Sequence, residues 1–231
     1  MQDVMLDLET MGNGPQAAII AIGAVEFDIP TQQIGERFYT VIDLESAVAR
    51  GGVMDASTVL WWLKQSDAAR AAFDRGGEHI AVALQQFAGW MENRAKRDDV
   101  RVWGNGAAFD NVILASAYRR SGTPQPWQFW NDRCYRTVKA QYPAVKMQRN
   151  GTHHNAVDDA ESQARHLIAM MPSNSTDQLE RIHAPLRPPP ALGGWSRRAQ
   201  PGRCCASRAR SATASCSTAA TRSRPARRYS R

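Results

Sequence analysis

The 231-residue chain is poor in cysteine and has no long hydrophobic run. Its four cysteines, Cys134, Cys204, Cys205 and Cys216, form no C-x-x-C pair, which argues against a disulfide scaffold. No stretch approaches the ~18 consecutive apolar residues of a membrane span. The first residues include Asp3 and no basic cluster, unlike a secretory signal peptide. We therefore expect a soluble, cytoplasmic protein without a membrane partner.

Acidic residues are almost absent from the last quarter of the chain. Residues 172–231 contain 12 arginines, no lysine and two acids, whereas residues 1–171 contain 17 basic and 20 acidic side chains. The net charge of +7 therefore arises from the basic end. Almost no large aliphatic residue follows Leu192, so a packed core cannot form there. We predict a globular domain over 1–171, a short helix and Pro-rich linker over 172–190, and a disordered Arg/Ala/Ser-rich tail over 191–231.

Three interpretations of this tail remain open. A basic arm could bind nucleic acid, since arginines displace counterions from a phosphate backbone. A solvated terminus without a role fits the composition equally well. A shifted reading frame of GC-rich coding sequence would also yield Ala, Arg, Ser, Pro, Thr, Gly and Cys without Lys, Ile or Asn. Because a charge run has low specificity, we favour the second and third interpretations over the first.

The hydrophobic pattern of the first 171 residues predicts an α/β fold with a mixed sheet. Three strands, DVMLDLE, AAIIAIGAVEFD and ERFYTVID, are separated by short turns, which favours an antiparallel meander. Helical spacing predicts helices over about 55–73 and from about Glu78 to Met91. The strand VRVWGNG then leads into a helix that ends at Gly122. A short strand or turn and a short helix follow. The last helix is formed by HNAVDDAESQARHLIAMM and ends at Pro172.

An acidic pair interrupts the first predicted strand. Asp7 and Glu9 are two residues apart, so in a strand their carboxylates project from one face. Acids are unfavourable in strands, and like charges on one face repel each other. A face open to water would tolerate the pair. The interpretation that we favour is a hard-cation site, in which a divalent ion removes the repulsion.

Further acids follow at two places in the sequence. Asp110 comes after a strand and a run of small residues, so we expect it in the first turn of a helix, where a carboxylate is favourable even without another role. Before the last helix, His153 and His154 each precede an aspartate by five residues, Asp158 or Asp159. At ~100° per residue, Asp159 lies nearer the apolar stripe of the helix. We therefore pair His154 with Asp159, although a helix cap and an acidic first turn would also explain these residues.

Taken in order, these motifs resemble a known family. The acid pair in LDLET, the aspartate in GNGAAFDNVIL and the His–x4–Asp spacing in HNAVDDA are similar to the DEDDh branch of the DnaQ-like 3′–5′ exonucleases. WGNGAAFDN and FWNDRCYRT are most similar to the small 3′–5′ exoribonucleases of phages, prophages and mycobacteria. The resemblance covers residues 1–171. It implies a ribonuclease H-like fold, with a mixed five-stranded sheet flanked by helices, and leaves a homodimer as one option for the oligomeric state.

The resemblance also implies a two-metal phosphodiesterase. It would release nucleoside 5′-monophosphates from the 3′ ends of single-stranded nucleic acid, with RNA slightly favoured over DNA. Asp7, Glu9 and Asp159 would hold one Mg²⁺ or Mn²⁺, and Asp7 and Asp110 a second. Two such ions ~3.5–4 Å apart stabilise the attacking and leaving oxygens of an in-line displacement. His154 would accept the proton of the attacking water.

Substrate contacts are implied next to these acids. The backbone of the turn after the acid pair would contact the sugar and base of the terminal nucleotide through Thr10, Met11 and Gly12. An ordinary turn that ends the strand would also explain these residues. Phe109 either stacks on a base or, as aromatics more often do, packs in the core. Trp61 and Trp62 point ~100° apart on a helix. One of them is therefore expected in the core and the other beside a base, and our candidate for the base is Trp62.

Two other functions remain open from the sequence. A ribonuclease H-like or transposase-like endonuclease also uses clustered carboxylates, but the histidine five residues before Asp159 argues against it. A non-catalytic nucleic-acid-binding module with a basic arm would need some defect in the acid set that the sequence does not reveal.

Overall fold

A computed structural model of the chain describes residues 2–74, 76–92 and 99–171. The linker predicted over 172–190 and the tail predicted over 191–231 lie outside the described residues. Within the described part, no helix combines the length and the apolar composition needed to cross a bilayer.

Three strands open the chain, and helices dominate the rest. The strands are β1 (Asp3–Thr10), β2 (Ile19–Asp28), β3 (Gln33–Val41), β4 (Arg101–Gly104) and β5 (Asp132–Cys134). The α-helices of the described residues are α1 (Leu44–Ala49), α2 (Ala56–Trp62), α3 (Asp67–Asp74), α4 (Ile80–Glu92), α5 (Asp110–Ser121), α6 (Tyr135–Gln141) and α7 (Ala156–Met170).

The five strands form one mixed sheet in the order β3-β2-β1-β4-β5. β1 and β2 pair antiparallel, as do β2 and β3, whereas β4 runs parallel to both β1 and β5. The predicted meander and mixed five-stranded sheet are therefore confirmed. The central strand β1 is almost entirely buried, while the edge strand β3 is less buried and carries charged side chains, which disfavours edge-to-edge pairing of the sheet.

The helical region after β3 differs from the prediction. The single helix expected over about 55–73 is two helices, α2 and α3, separated by a turn at residues 63–66. The polar side chain of Ser66 explains the break, because its hydroxyl accepts a hydrogen bond from the backbone N of Ala69 at 3.3 Å. Helix α1 is a further element that the sequence did not predict. It starts after Asp43, whose carboxylate caps the helix by accepting a hydrogen bond from the backbone N of Ser46 at 2.8 Å.

The two faces of the sheet are covered by different helices. On one face, Leu6 and Leu8 of β1 join a core cluster that includes α4 and α5. On the other face, Met5 packs in a cluster with the apolar stripe of α7. Because side chains alternate along a strand, Asp7 and Glu9 share the α7 face with Met5.

Two glycines allow helices to approach this end of the sheet. Gly23 of β2 pairs with Asp7, and a Cβ at Gly23 would overlap the backbone of Ala156 at the start of α7. Gly104 ends β4, and a Cβ there would overlap Asn111 in the first turn of α5. The absence of a side chain at both positions brings the first turns of α5 and α7 close to the carboxyl end of β1.

We predict that Gly23→Ala lowers the free energy of unfolding by about 3 kcal/mol or more, because two backbone segments cannot move apart cheaply. Urea unfolding followed by circular dichroism measures the change. The matched control is Gly89→Ala in α4, where a Cβ meets no atom within 4 Å among the described residues. It should stabilise the protein by about 0.5–1 kcal/mol, the helix propensity difference. Equal stability of Gly23→Ala and the wild type would contradict the close approach of α7.

Candidate active site

The acid pair of LDLET lies near the carboxyl end of the central strand. Asp7 is half-buried, and Glu9 is buried with 8% of its surface exposed. Both carboxylates face α7, and β2 flanks them on one side, whereas the pairing of β1 with β4 ends at Leu6, just before the first acid. The face is therefore covered rather than open to water, which removes the simpler explanation for an acidic pair in a strand.

Helix α7 brings a third acid to this pair. Asn155 caps the helix, so α7 begins at Ala156 and places Asp159 in its first turn. The ligand oxygens of Asp7, Glu9 and Asp159 all lie within 4.8 Å of one another. This is the arrangement that the choice of Asp159 over Asp158 predicts.

Asp158 points away from the cluster. Its Oδ1 accepts a hydrogen bond from Nη2 of Arg37 at 2.5 Å, and its Oδ2 accepts one from the backbone N of Thr152 at 2.8 Å. Ser162, which lies one turn after Asp158 on α7, is buried. The loop before α7 covers it, since the backbone N of Asn150 donates to the Ser162 hydroxyl at 3.0 Å.

Asp110 completes the acidic cluster from the other side of β1. It is the first residue of α5, as predicted, and it is 3% exposed. The backbone N of Leu8, between the two acids of β1, donates to Asp110 Oδ1 at 3.3 Å. The other oxygen, Oδ2, is buried and has no hydrogen-bond partner among the described residues. A buried acceptor without a partner is unfavourable, so this oxygen points to a ligand that the protein itself does not supply.

The protein surroundings oppose ionisation of these acids. Loss of solvation, followed by repulsion from Asp110 and Asp159, raises the pKa of Asp7 well above its ordinary value. Burial, followed by repulsion from the neighbouring acids, raises the pKa of Glu9 to about 10. Burial also raises the pKa of Asp110 to about 7. Bound divalent cations would reverse this balance, because their charge would stabilise the ionised carboxylates.

The four acids line a cavity of about 250 Å³, here called the acidic pocket. Carboxylate oxygens are the donors that Mg²⁺ and Mn²⁺ prefer. The partnerless Oδ2 of Asp110 supplies a donor atom with no competing hydrogen bond. The residues present therefore fit divalent cations.

Two residues that the sequence analysis did not select also line the acidic pocket. Gln163 donates through Nε2 to Oδ1 of Asp7 at 2.7 Å. Arg149 forms an ion pair with Asp159, with Nη1 and Oδ1 2.6 Å apart. Gln163 lies four residues after Asp159 on the same helix face, a spacing that could have identified it. Arg149 lies in a loop, where no periodicity signals its direction.

His154 lies in the loop before α7 and lines the acidic pocket. Its φ of 64° is in the left-handed region, which histidine adopts more readily than most residues, and its backbone N donates to Oδ2 of Asp159 at 3.0 Å. The ring contacts Trp61 edge-on, with centroids 4.9 Å apart. Burial, followed by the neighbouring His153, lowers the pKa of His154, which favours the neutral ring that can accept a proton.

A second cavity, the aromatic pocket, adjoins the acidic pocket and has a volume of about 390 Å³. The two cavities share Leu8, Glu9 and Phe109. Phe109 is half-buried and packs against the core, as the second of its two expectations predicts, and it also lines both cavities. Thr10 lines the aromatic pocket as well, while Met11 is a core residue.

Both adjacent tryptophans, including our candidate Trp62, line the aromatic pocket, but their exposure differs. Trp62 is 4% exposed, and its indole Nε1 donates to the backbone O of Thr10 at 2.9 Å, so it supports the pocket from the core. Trp61 is 41% exposed and offers the free aromatic surface. Near Gly12, a Cβ would lie 2.9 Å from the carbonyl oxygen of Val53, so Gly12 serves a tight packing of the turn.

Comparison with solved structures identifies the fold. The nuclease domain of 3′hExo, a DEDDh family member bound to rAMP, matches with a TM-score of 0.50 and 16% identity, over 73% of this chain and 90% of that one. Cell-death related nuclease 4 matches with a TM-score of 0.50 and 15% identity, over 73% of this chain and 62% of that one. The predicted ribonuclease H-like fold of the DEDDh exonucleases is therefore confirmed.

The sequence relatives define the class of protein as 3′–5′ exonucleases. The chain belongs to the family described as the 3′–5′ exoribonuclease Rv2179c-like domain, whose match spans residues 2–171. An exodeoxyribonuclease of Enterobacteria phage T4 is 28% identical over 162 residues, which cover 59% of this chain and 70% of the phage protein.

We predict that the metal-free protein loses stability as the pH rises. The pKa of Glu9 rises from 4.5 to about 10 on folding, so over this interval the folded protein binds a proton that the unfolded chain has released, and the free energy of unfolding falls with pH. In EDTA, the melting temperature should be lower at about pH 8 than at about pH 5. Mn²⁺ should raise it more at the higher pH, where metal binding competes less with protons.

Glu9→Gln should reduce this pH dependence, whereas Asp158→Asn, which lies outside the cluster, should retain it. Thermal unfolding followed by circular dichroism gives the comparison. A melting temperature that Mn²⁺ leaves unchanged at about pH 8 would contradict the metal site.

Proposed function

We propose that this protein is a two-metal-dependent 3′–5′ exonuclease that releases nucleoside 5′-monophosphates from single-stranded nucleic acid, with RNA slightly favoured over DNA. The observation that carries the proposal is the convergence of Asp7, Glu9 and Asp159 within 4.8 Å, with the partnerless Oδ2 of Asp110 beside them. The family membership of residues 2–171 supports the direction of hydrolysis.

The acidic cluster would hold two Mg²⁺ or Mn²⁺ ions. Asp7, Glu9 and Asp159 would hold one, and Asp7 and Asp110 the other, so that Asp7 belongs to both sites. When bound, the ions would balance the four negative charges and stabilise the charge that develops on the attacking and leaving oxygens. Gln163 holds the Asp7 carboxylate in position through its hydrogen bond at 2.7 Å.

His154 would act as the general base. Its neutral ring would accept a proton from the water that attacks the terminal phosphorus, and the bond from that phosphorus to the 3′ oxygen of the preceding nucleotide would break. The products are a nucleoside 5′-monophosphate and a strand one nucleotide shorter, whose 3′ oxygen takes a proton from solvent. The left-handed backbone of His154 and its bond to Asp159 fix the loop that carries the ring.

The terminal nucleoside would occupy the aromatic pocket. Its phosphate would then lie over the acidic pocket, because the two cavities share Leu8, Glu9 and Phe109. Trp61 and Phe109 would contact the base, while Thr10, together with the turn at Met11 and Gly12, would shape the sugar side. Trp62 would contribute by holding the backbone of Thr10.

The slight preference for RNA rests on the description of the family as exoribonucleases. The phage relative is named an exodeoxyribonuclease. Discrimination between ribose and deoxyribose depends on a few contacts to the 2′-hydroxyl. A time course on single-stranded RNA and DNA of the same sequence, in Mn²⁺ and in EDTA, tests the preference directly. Faster digestion of DNA would reverse it.

The same assay distinguishes the alternative functions. A 3′–5′ exonuclease should release mononucleotides from linear strands in Mn²⁺ and leave circular strands intact. Cleavage of a circular strand would establish an endonuclease. Binding of a linear strand without cleavage in Mn²⁺ would establish a non-catalytic module.

We predict that Asp159→Asn lowers kcat by about a thousandfold or more, as expected when stabilisation of the transition state is removed. Asp158→Asn should keep activity within about fivefold, since the exposed ion pair that it weakens contributes about 0–1 kcal/mol. Initial rates of mononucleotide release from a labelled strand provide the measurement. Loss of activity in Asp158→Asn, with turnover kept in Asp159→Asn, would overturn the assignment of the metal ligand.

Trp61→Ala should raise the KM for a single strand about fivefold or more, because stacking on an aromatic side chain contributes about 1–3 kcal/mol per base. The matched control is Trp130→Ala, a tryptophan that is 58% exposed and lines neither pocket. Equal KM values for the two variants would remove Trp61 from the substrate site.

A further inference from the structure

A third cavity, the basic groove, adjoins the acidic pocket and has a volume of about 720 Å³. It shares Asn105, Arg136, Lys139 and Met147 with the acidic pocket but no residue with the aromatic pocket. The three cavities therefore form a continuous series, with the carboxylates in the middle. The proposed function accounts for the aromatic and acidic pockets and leaves the groove without a role.

Charge in this region is of one sign. Residues 133–157 contain five basic side chains and no acid, although residues 1–171 as a whole carry more acids than bases. Arg136, Lys139 and Lys146 line the groove and are exposed. Among the described residues, none of the three forms an ion pair with a carboxylate. Lys139 contacts the Tyr135 ring and Lys146 a backbone carbonyl oxygen, so neither contact neutralises the lysine charge, whereas Arg136 also stabilises the ionised form of Asp110. The two lysine charges are therefore available to an anionic ligand.

The wall of the groove is fixed by buried polar contacts. His166 of α7 is 4% exposed, and its Nε2 lies 3.0 Å from the carbonyl oxygen of Val145. Since a carbonyl only accepts, Nε2 donates to it, and Nδ1 of the same ring lies 2.6 Å from the Tyr135 hydroxyl oxygen. Arg136 is held by its hydrogen bond to the backbone O of Asn105 at 2.5 Å.

We propose that the basic groove binds the sugar–phosphate backbone of the substrate strand immediately upstream of its 3′-terminal nucleotide. Arg136, Lys139 and Lys146 would contact successive phosphates, and the exposed ring of Tyr142 would stack on a base. This inference rests on the proposed function. If the terminal nucleoside occupies the aromatic pocket, the rest of the strand must leave the acidic pocket on another side, and the basic groove opens there.

A single strand is the ligand that these features fit. A chain of regularly spaced phosphates is attracted by a row of exposed basic side chains, whatever its sequence, and an aromatic surface accepts any base. The strand must also approach a cluster of four carboxylates, so positive charge beside the cluster offsets the repulsion of its phosphates. An acidic protein would use the charge but would not require the groove to open into the acidic pocket.

The test compares a long and a short substrate with the full chain in Mn²⁺. The long substrate is a single strand of about ten nucleotides, and the short one is a nucleoside 5′-monophosphate p-nitrophenyl ester, which has a cleavable phosphate but no upstream nucleotide. Lys146→Gln and Lys139→Gln should raise the KM of the strand relative to that of the ester. Lys64→Gln, an exposed lysine that lines none of the three cavities, should leave the ratio of the two KM values unchanged.

Salt dependence provides a second readout. Each lost phosphate contact should reduce the slope of log(1/KM) against log[KCl] by about 0.7 for the strand. The basic residues after position 171 are present in every variant, so their contribution cancels when slopes are compared. Combining both substitutions should reduce the slope by the sum of the two single effects, because the contacts are to different phosphates.

Suppose that the wild type hydrolyses both substrates, and that Lys139→Gln and Lys146→Gln leave the KM ratio and the salt slope unchanged. This result would overturn strand binding in the basic groove and leave the proposed function intact. Failure of the wild type to hydrolyse either substrate in Mn²⁺ would instead overturn the proposed function. If Lys139→Gln and Lys146→Gln weakened the binding of an acidic protein but left the KM of the strand unchanged, the strand would also be rejected as the ligand.

Discussion

Repulsion among buried carboxylates is the constraint on which the rest of this structure depends. Asp7, Glu9 and Asp159 lie within 4.8 Å of one another, and Asp110 adds a fourth acid from the far side of the central strand. Burial raises the pKa of Asp7, Glu9 and Asp110, so the metal-free protein gains little from their ionisation. The buried acids therefore lower the stability of the metal-free protein. The same closely spaced carboxylates would bind divalent ions, whose charge would offset the repulsion.

The sheet and two helices bring the four acids of this cluster together. The central strand supplies two acids from one face, and the helices α5 and α7 begin at the same end of the sheet because Gly23 and Gly104 let them approach. Polar side chains then fix two of the four acids, with Gln163 bound to Asp7 and Arg149 to Asp159. An aromatic pocket on one side and a basic groove on the other give the cluster two chemically different neighbours. This division matches a nucleic-acid end, which has one terminal base and a chain of phosphates behind it.

Much of the fold was predictable from local pattern. The three opening strands and the mixed sheet followed from β-branched runs with short turns, and the start of α5 at Asp110 followed from the strand and the small residues before it. The break between α2 and α3 was not predictable from periodicity, because the apolar residues keep helical spacing through both segments. The two helices are separated by a turn, and Ser66 caps the start of α3. Trp61 and Trp62 were likewise separated only by the direction in which α2 packs, which buries one indole and exposes the other.

The sequence alone determined which residues carry charge and in what order: LDLET, then the aspartate before NVIL, then a histidine five residues before an aspartate. That order was sufficient for the family, and helical spacing was sufficient to prefer Asp159 over Asp158. Only the tertiary structure decided that acids about 150 positions apart meet, that Asp158 pairs with Arg37 instead, and that Arg149 reaches Asp159. The physical reason is that periodicity fixes the face of a helix or strand, whereas contacts between distant segments depend on packing that no local pattern encodes.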